Sequence, residues 1–178
     1  MKTLYLHIGW RKTGSSAIQS YMTKTMQNGR LFDMVVPNIG LSSQRLVTGA
    51  QPIAHHGLAG FKHPAQWNRY WDEMREFVQN DSAEKYFISS EVFSSSFGKN
   101  PEMIPEFARK LDIFDKVIVI AWLRRQDHYM TSLRVQKAKH GGKGSVRKDF
   151  LKRYPNDGNY FKILSMIERH LKNCEVRP

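Results

Sequence analysis

Two stretches of this chain place anion-binding chemistry at the ends of apolar runs. The first, Gly9-Trp10-Arg11-Lys12-Thr13-Gly14-Ser15-Ser16, follows the run Thr3–Ile8 and precedes a segment with helical spacing. Glycines let backbone N–H groups turn toward an anion, and a helix N-terminus adds unclaimed donors with partial positive charge. The hydroxyls of Ser15 and Ser16 supply further hydrogen bonds. A nucleoside-triphosphate loop carries lysine directly after its second glycine; Ser15 stands there instead, and Lys12 lies inside the loop. A plain glycine turn after a strand accounts for the same residues without any ligand. The second stretch, Leu123-Arg124-Arg125-Gln126-Asp127, follows the run Val117–Trp122. A guanidinium fork gives two charge-assisted hydrogen bonds to a phosphate, where lysine offers a point charge. The same arginines also suit capping a sheet edge or pairing with Asp127.

The elements that must position these groups follow from periodicity. Thr3–Ile8 reads as a buried strand and Gly14–Met26 as a helix, with Ala17, Ile18, Tyr21, Met22 and Met26 on one side and a stop at Asn28-Gly29. Phe32–Val36, closed by Pro37, reads as a second strand, and 39–63 as loop. Trp67, Tyr70, Trp71, Met74, Phe77 and Val78 describe an amphipathic helix whose aromatic stripe belongs to the core. Tyr86–Ser89 and Val117–Trp122 read as strands, Pro101–Leu111 as a helix with proline in its first turn, and Gln126 to about His140 as a helix stopped by Gly141-Gly142. Tyr160–Leu171 is a last helix before a short run at Cys174-Glu175-Val176. Strands alternating with helices predict an α/β fold with a mostly parallel central sheet flanked by helices. Ligands of such sheets bind beyond the carboxyl ends of the strands, here Gly9–Ser16, Ser89–Glu91 and Arg124–Ser132.

The loop resembles the phosphosulfate-binding loop of sulfotransferases, whose usual form is Pro-Lys-Thr/Ser-Gly-Thr-Thr. Lys12, Thr13 and Gly14 match, Ser15 and Ser16 are conservative replacements, and Arg11 stands where proline is usual. The phrase from Leu123 to Asp127, with Ser132-Leu133, is similar to bacterial-type sulfotransferases. The resemblance implies a P-loop NTPase-like three-layer sandwich and one domain over residues 1–178. It implies 3′-phosphoadenosine 5′-phosphosulfate as donor, held by Arg11, Lys12, Thr13, Gly14, Ser15 and Ser16, with Arg124 and Ser132 on the ribose 3′-phosphate. Lys12 would stabilise charge on the leaving phosphate, a role that needs no metal. For the base that takes the acceptor proton, Glu91 occupies the place that the family gives to such a residue. His56, in Ala54-His55-His56-Gly57, is the rival. Glu91 also suits a helix-entry carboxylate, and an adjacent histidine pair suits a structural or surface role. His7 reads as a hydrogen-bonded core residue. A segment covering the adenine usually follows in this family; none is found before Pro178, so a short member or a chain lacking its C-terminal portion is expected.

The composition sets outer limits. The chain has 178 residues, 40% of them hydrophobic, and a formal net charge of +12, which suits one core. Residues 109–178 hold 17 of the 28 lysines and arginines and 7 of the 16 acids, so the basic field is C-terminal and attracts polyanions without choosing among them. The single cysteine, Cys174, excludes an internal disulfide and a zinc module. The absence of an apolar run near 20 residues or of a leader-like N-terminus predicts a cytoplasmic protein without a transmembrane segment. A basic stretch containing Lys137, Lys139, His140, Lys143, Arg147, Lys148, Lys152 and Arg153 suits an acidic glycan or lipid head group as well as a solvated loop. The sulfotransferase resemblance implies sulfuryl transfer to an acceptor hydroxyl, carbohydrate or lipid first. A P-loop small-molecule kinase and a basic nucleic-acid-binding module are the alternatives; the second lacks any helix-turn-helix, zinc or RNA-recognition signature, so nucleic acid is not expected as a partner.

Overall fold

The computed structural model describes residues 1–26, 29–41, 54–139 and 159–178. The strands are β1 (Thr3–His7), β2 (Arg30–Leu31), β3 (Met34–Val35), β4 (Lys85–Ser89), β5 (Lys116–Ile120) and β6 (Cys174–Arg177). The helices are α1 (Ser15–Thr25), α2 (His56–Ala59), α3 (Pro64–Asn80), α4 (Val92–Lys99), α5 (Ile104–Lys110), α6 (Gln126–Lys139) and α7 (Tyr160–His170). One six-stranded sheet runs in the order β2-β3-β4-β1-β5-β6. All its pairings are parallel except that of β2 with β3.

Side chains alternate across β1, and each set is buried under helices. Leu4 and Leu6 join the large core with Tyr86, Ile88, Val117 and Val119 from the neighbouring strands. Trp67, Trp71, Met74 and Val78 of α3, Phe93 and Phe97 of α4, Phe107 of α5 and Ile163 and Ile167 of α7 cover that face. Tyr5 packs on the other face in a smaller cluster with Phe87 and Met22 of α1. The strand-to-helix connections thus leave β1 and β4 toward opposite faces, which opens a crevice between them at their carboxyl ends. Register makes that crevice compact, because His7 is level with both Ser89 and Ile120.

Several boundaries differ from the sequence reading. The strand expected over Phe32–Val36 is interrupted: Phe32 has φ 57° and is 73% exposed, so Phe32-Asp33 is a turn between β2 and β3. Apolar composition favoured a strand there, but two-residue strands on a sheet edge leave a ring no core to enter. The expected helix Pro101–Leu111 is three pieces, with 3-10 turns at Pro101–Met103 and Leu111–Ile113 around α5. Val117–Trp122 ends early as β5 at Ile120, and Trp122 lies beyond the sheet, 46% exposed. The segment 39–63, read as loop, contains α2. Helix α4 has little polar-apolar contrast in Val-Phe-Ser-Ser-Ser-Phe-Gly-Lys beyond Phe93 and Phe97, four residues apart on its buried side. Asn28 and Gly141-Gly142, expected as helix stops, and His140, the expected end of the helix from Gln126, lie outside the described residues, as does most of the basic stretch.

Phe107 anchors the larger core: it is fully buried, with ring centroids 5.6 Å from Trp71, 5.2 Å from Phe93 and 5.1 Å from Phe97. Phe107→Ala is expected to cost about 3–5 kcal/mol of unfolding free energy, measured as a lower guanidinium midpoint with an unchanged slope.

Candidate functional site

The turn from β1 into α1 is bent by three residues of left-handed backbone: Gly9 (φ 28°), Lys12 (φ 65°) and Gly14 (φ 95°). Changes of hand over a short stretch curl successive N–H groups toward a common point. Gly14 is the N-cap of α1 and brings no side chain to bond the first-turn amides, and no acidic residue occupies that turn. The helix end is therefore open to an external anion. Ser15 is buried, Thr13 is half-buried and bonds its hydroxyl back to the Trp10 carbonyl, and Arg11, Lys12 and Ser16 are exposed.

The second motif reaches this turn directly. Arg124 Nη1 donates to the Lys12 carbonyl at 3.1 Å, so the guanidinium lies against the loop. The two arginines divide their tasks: Arg125 is bound at 2.7 Å by each carboxylate oxygen of Asp127, the pairing open to either from the sequence, and Arg124 takes the loop. The contact is braced from α7. Tyr160 donates its hydroxyl to the Arg124 carbonyl at 2.8 Å, and its ring meets Trp10 edge-on at 4.9 Å. The indole of Trp122 lies against Gly14, its ring carbons 3.8 Å from where a Cβ would stand. Ser132 is half-buried on α6. Tyr160 carried no site signal in the sequence beyond an aromatic after the capping Asn159.

The two rival bases prove to be neighbours. Glu91 is the N-cap residue of α4, but its side chain makes no capping bond. It accepts a hydrogen bond from Gln19 Nε2 at 2.9 Å and lies 3.9 Å from His56 Nε2, too far for a hydrogen bond. His56 Nδ1 is 2.7 Å from Ser90 Oγ, which also accepts from the Val92 N–H. Burial lowers the His56 pKa, nearby Glu91 opposes this, and Arg11 adds to the lowering. A neutral imidazole near pH 7 is the result. Gln19 and Ser90 went unrecognised because both read as ordinary polar positions; only folding turns Gln19 from α1 toward β4.

Beneath the site lies a buried layer that fixes it. His55 is fully buried; its Nδ1 accepts from the Ser89 N–H at 3.2 Å and its Nε2 donates to the Pro37 carbonyl at 2.9 Å, which sets its tautomer. The Gly57 N–H donates to the Gly40 carbonyl at 2.8 Å, and a Cβ on Gly57 would meet Gly40 Cα at 2.9 Å and the Tyr70 ring at 2.6 Å. Only glycine allows that approach, and it holds His56 in place. His7 is level with Ser89, bonding its hydroxyl through Nδ1 at 2.8 Å, while Nε2 is buried without a partner beneath Gly9. The expected hydrogen-bonded core role thus covers one of its two nitrogens.

Among the described residues, no group of three His, Cys, Asp or Glu side chains is placed to hold a metal ion, and no helix is long and apolar enough to cross a membrane. No protein-family model, curated protein or solved structure matches the chain.

Burial lowers the pKa of both His7 and His55 to about 4. A histidine depressed in the folded state favours unfolding once protons bind the unfolded chain, so stability falls as pH drops from about 6.5 toward 4. The two groups together are expected to add an uptake of about two protons on unfolding near pH 5, on the order of 3 kcal/mol each at full protonation. Denaturant midpoints measured between pH 7.5 and 4.5 report this, and the imidazole C–H resonances of both residues are expected not to titrate above pH 5.

Proposed function

We propose that this chain transfers a sulfuryl group from 3′-phosphoadenosine 5′-phosphosulfate to an acceptor hydroxyl, on a P-loop-type sandwich of the sulfotransferase kind. One observation carries the reading: the Arg124 guanidinium touches the backbone of the Lys12 loop, so two anion-binding groups far apart in sequence address a single ligand with two phosphate positions. Arg11, Lys12, Thr13, Gly14, Ser15 and Ser16 would hold the phosphosulfate, and Arg124 with Ser132 the 3′-phosphate. Arg124 and Lys12 have no ion-pair partner among the described residues, which leaves their charge for the donor.

The acceptor oxygen bonds to sulfur while the bond from sulfur to the bridging phosphate oxygen breaks. Adenosine 3′,5′-bisphosphate leaves with the electron pair. Lys12 and the open end of α1 lower the barrier by matching the charge that develops there. The acceptor proton goes to His56 Nε2 when Nδ1–H donates to Ser90, and Glu91 then faces the imidazolium that forms. In this arrangement Glu91 and His56 act together: the imidazole takes the proton and the carboxylate stabilises its charge. Burial, which keeps His56 neutral beforehand, supports the division.

A small-molecule kinase reading would require lysine after Gly14, where Ser15 stands, and a nucleic-acid reading leaves the pairing of loop and guanidinium without a purpose. Calorimetry with adenosine 3′,5′-bisphosphate, ATP with magnesium, and a short oligonucleotide separates the three. The bisphosphate is expected to bind tightest, and Arg124→Ala and Ser132→Ala to weaken it, the arginine by roughly 10- to 100-fold for a charged hydrogen-bonding group. A preference for ATP with magnesium overturns the proposal.

A further inference from the structure

A cavity of about 590 Å³ opens beside the proposed transfer site. Its size falls within the roughly 300–1,000 Å³ of small-molecule pockets. Two residues join it to the chemistry already described: Arg11 of the β1–α1 loop and His56 of α2 both line it. A hydroxyl presented from this cavity therefore meets the imidazole and the loop together.

The wall has a definite charge. Arg11, Lys62 and Lys99 reach it from three separate segments, and none of the described residues lining it is an aspartate or glutamate. None of the three cations has an ion-pair partner among the described residues. Glu91, 3.9 Å from His56, is not among the residues that line it. A ligand entering here gains from carrying negative charge, and a cation is repelled.

The wall is also two-natured. The rings of Phe61 and Tyr70 are partly buried against the core and offer apolar surface. Gln66, whose amide donates to the Tyr70 hydroxyl at 3.0 Å, and Asn100 add hydrogen-bonding groups alongside them. Apolar faces next to amides and hydroxyls match a sugar ring, which has C–H faces and a rim of hydroxyls.

We propose that this cavity is the acceptor site, and that it takes a carboxylated sugar: the Lys62 and Lys99 cations bind the carboxylate while a ring hydroxyl is directed at His56, beside the donor held at Arg11. The assignment rests on the transfer reading above, but binding tests it separately from catalysis. The probes are a galacturonic-acid trisaccharide and its carboxyl-reduced counterpart, titrated by calorimetry into the full chain with and without saturating adenosine 3′,5′-bisphosphate.

The acidic trisaccharide is expected to bind at least about 10-fold more tightly than the reduced one, with a preference that shrinks as salt rises. Lys62→Gln and Lys99→Gln are each expected to weaken it about 5-fold and to leave the reduced sugar and the bisphosphate unaffected, while Lys99→Arg retains affinity. Equal binding of both sugars, or binding of neither while the bisphosphate still binds, overturns the acceptor assignment and leaves the donor reading standing. Failure of the bisphosphate to bind overturns the donor reading and the acceptor role with it, while a preference for the acidic sugar, read without bisphosphate, then marks a sugar site of another purpose.

Discussion

The register of three parallel strands is the constraint on which the site depends. Because β4, β1 and β5 are level at Ser89, His7 and Ile120, the loops that follow them emerge at one height and within reach of each other. The Lys12 turn, the Glu91 entry to α4 and the Arg124 segment are then neighbours by construction. A slip of one residue would turn every alternate side chain to the wrong face, burying Tyr5 where Leu4 and Leu6 now pack. The hydrophobic pattern that fixes the core therefore also fixes the distances among the polar groups above it.

Held in that way, the site is supported from below by groups that play no direct part in chemistry. His55 is tied to Ser89 and Pro37, Gly57 closes on Gly40, and Tyr160 links Trp10 to the backbone of Arg124. Each contact joins elements distant in sequence, so disturbance of any one shifts a candidate residue relative to the others. His7 is the exception in this layer. Its Nε2 is buried unpaired, a cost of about 1–3 kcal/mol for a polar group without a partner, accepted at the point where the loop leaves β1.

Charge is distributed with equal consequence. The open, uncapped start of α1, Lys12 and Arg124 make the loop side positive, while Glu91 is engaged by Gln19 and faces His56. A histidine between an arginine and a glutamate feels opposed influences, and burial tips the balance toward the neutral form. Nucleotide anion and proton acceptor, in the proposed reading, are thereby kept on separate sides of a small crevice.

The sequence by itself determined the alternation of strands and helices, the mostly parallel α/β class and the burial of Trp67, Trp71, Met74 and Val78, because these follow from periodicity that a short window contains. It also marked Gly9–Ser16 and Arg124, since glycine spacing and an arginine after an apolar run are local features. Tertiary structure alone decided which arginine meets the loop and which pairs with Asp127. It alone placed Glu91 beside His56, two residues that sequence reading could treat only as rivals. It also brought in Gln19, Ser90 and Tyr160, whose local surroundings in the chain are unremarkable. The physical reason is separation: Lys12 and Arg124 are 112 positions apart and Gln19 and Glu91 are 72 apart, and no local pattern encodes a contact that exists only once the strands between them have found their register.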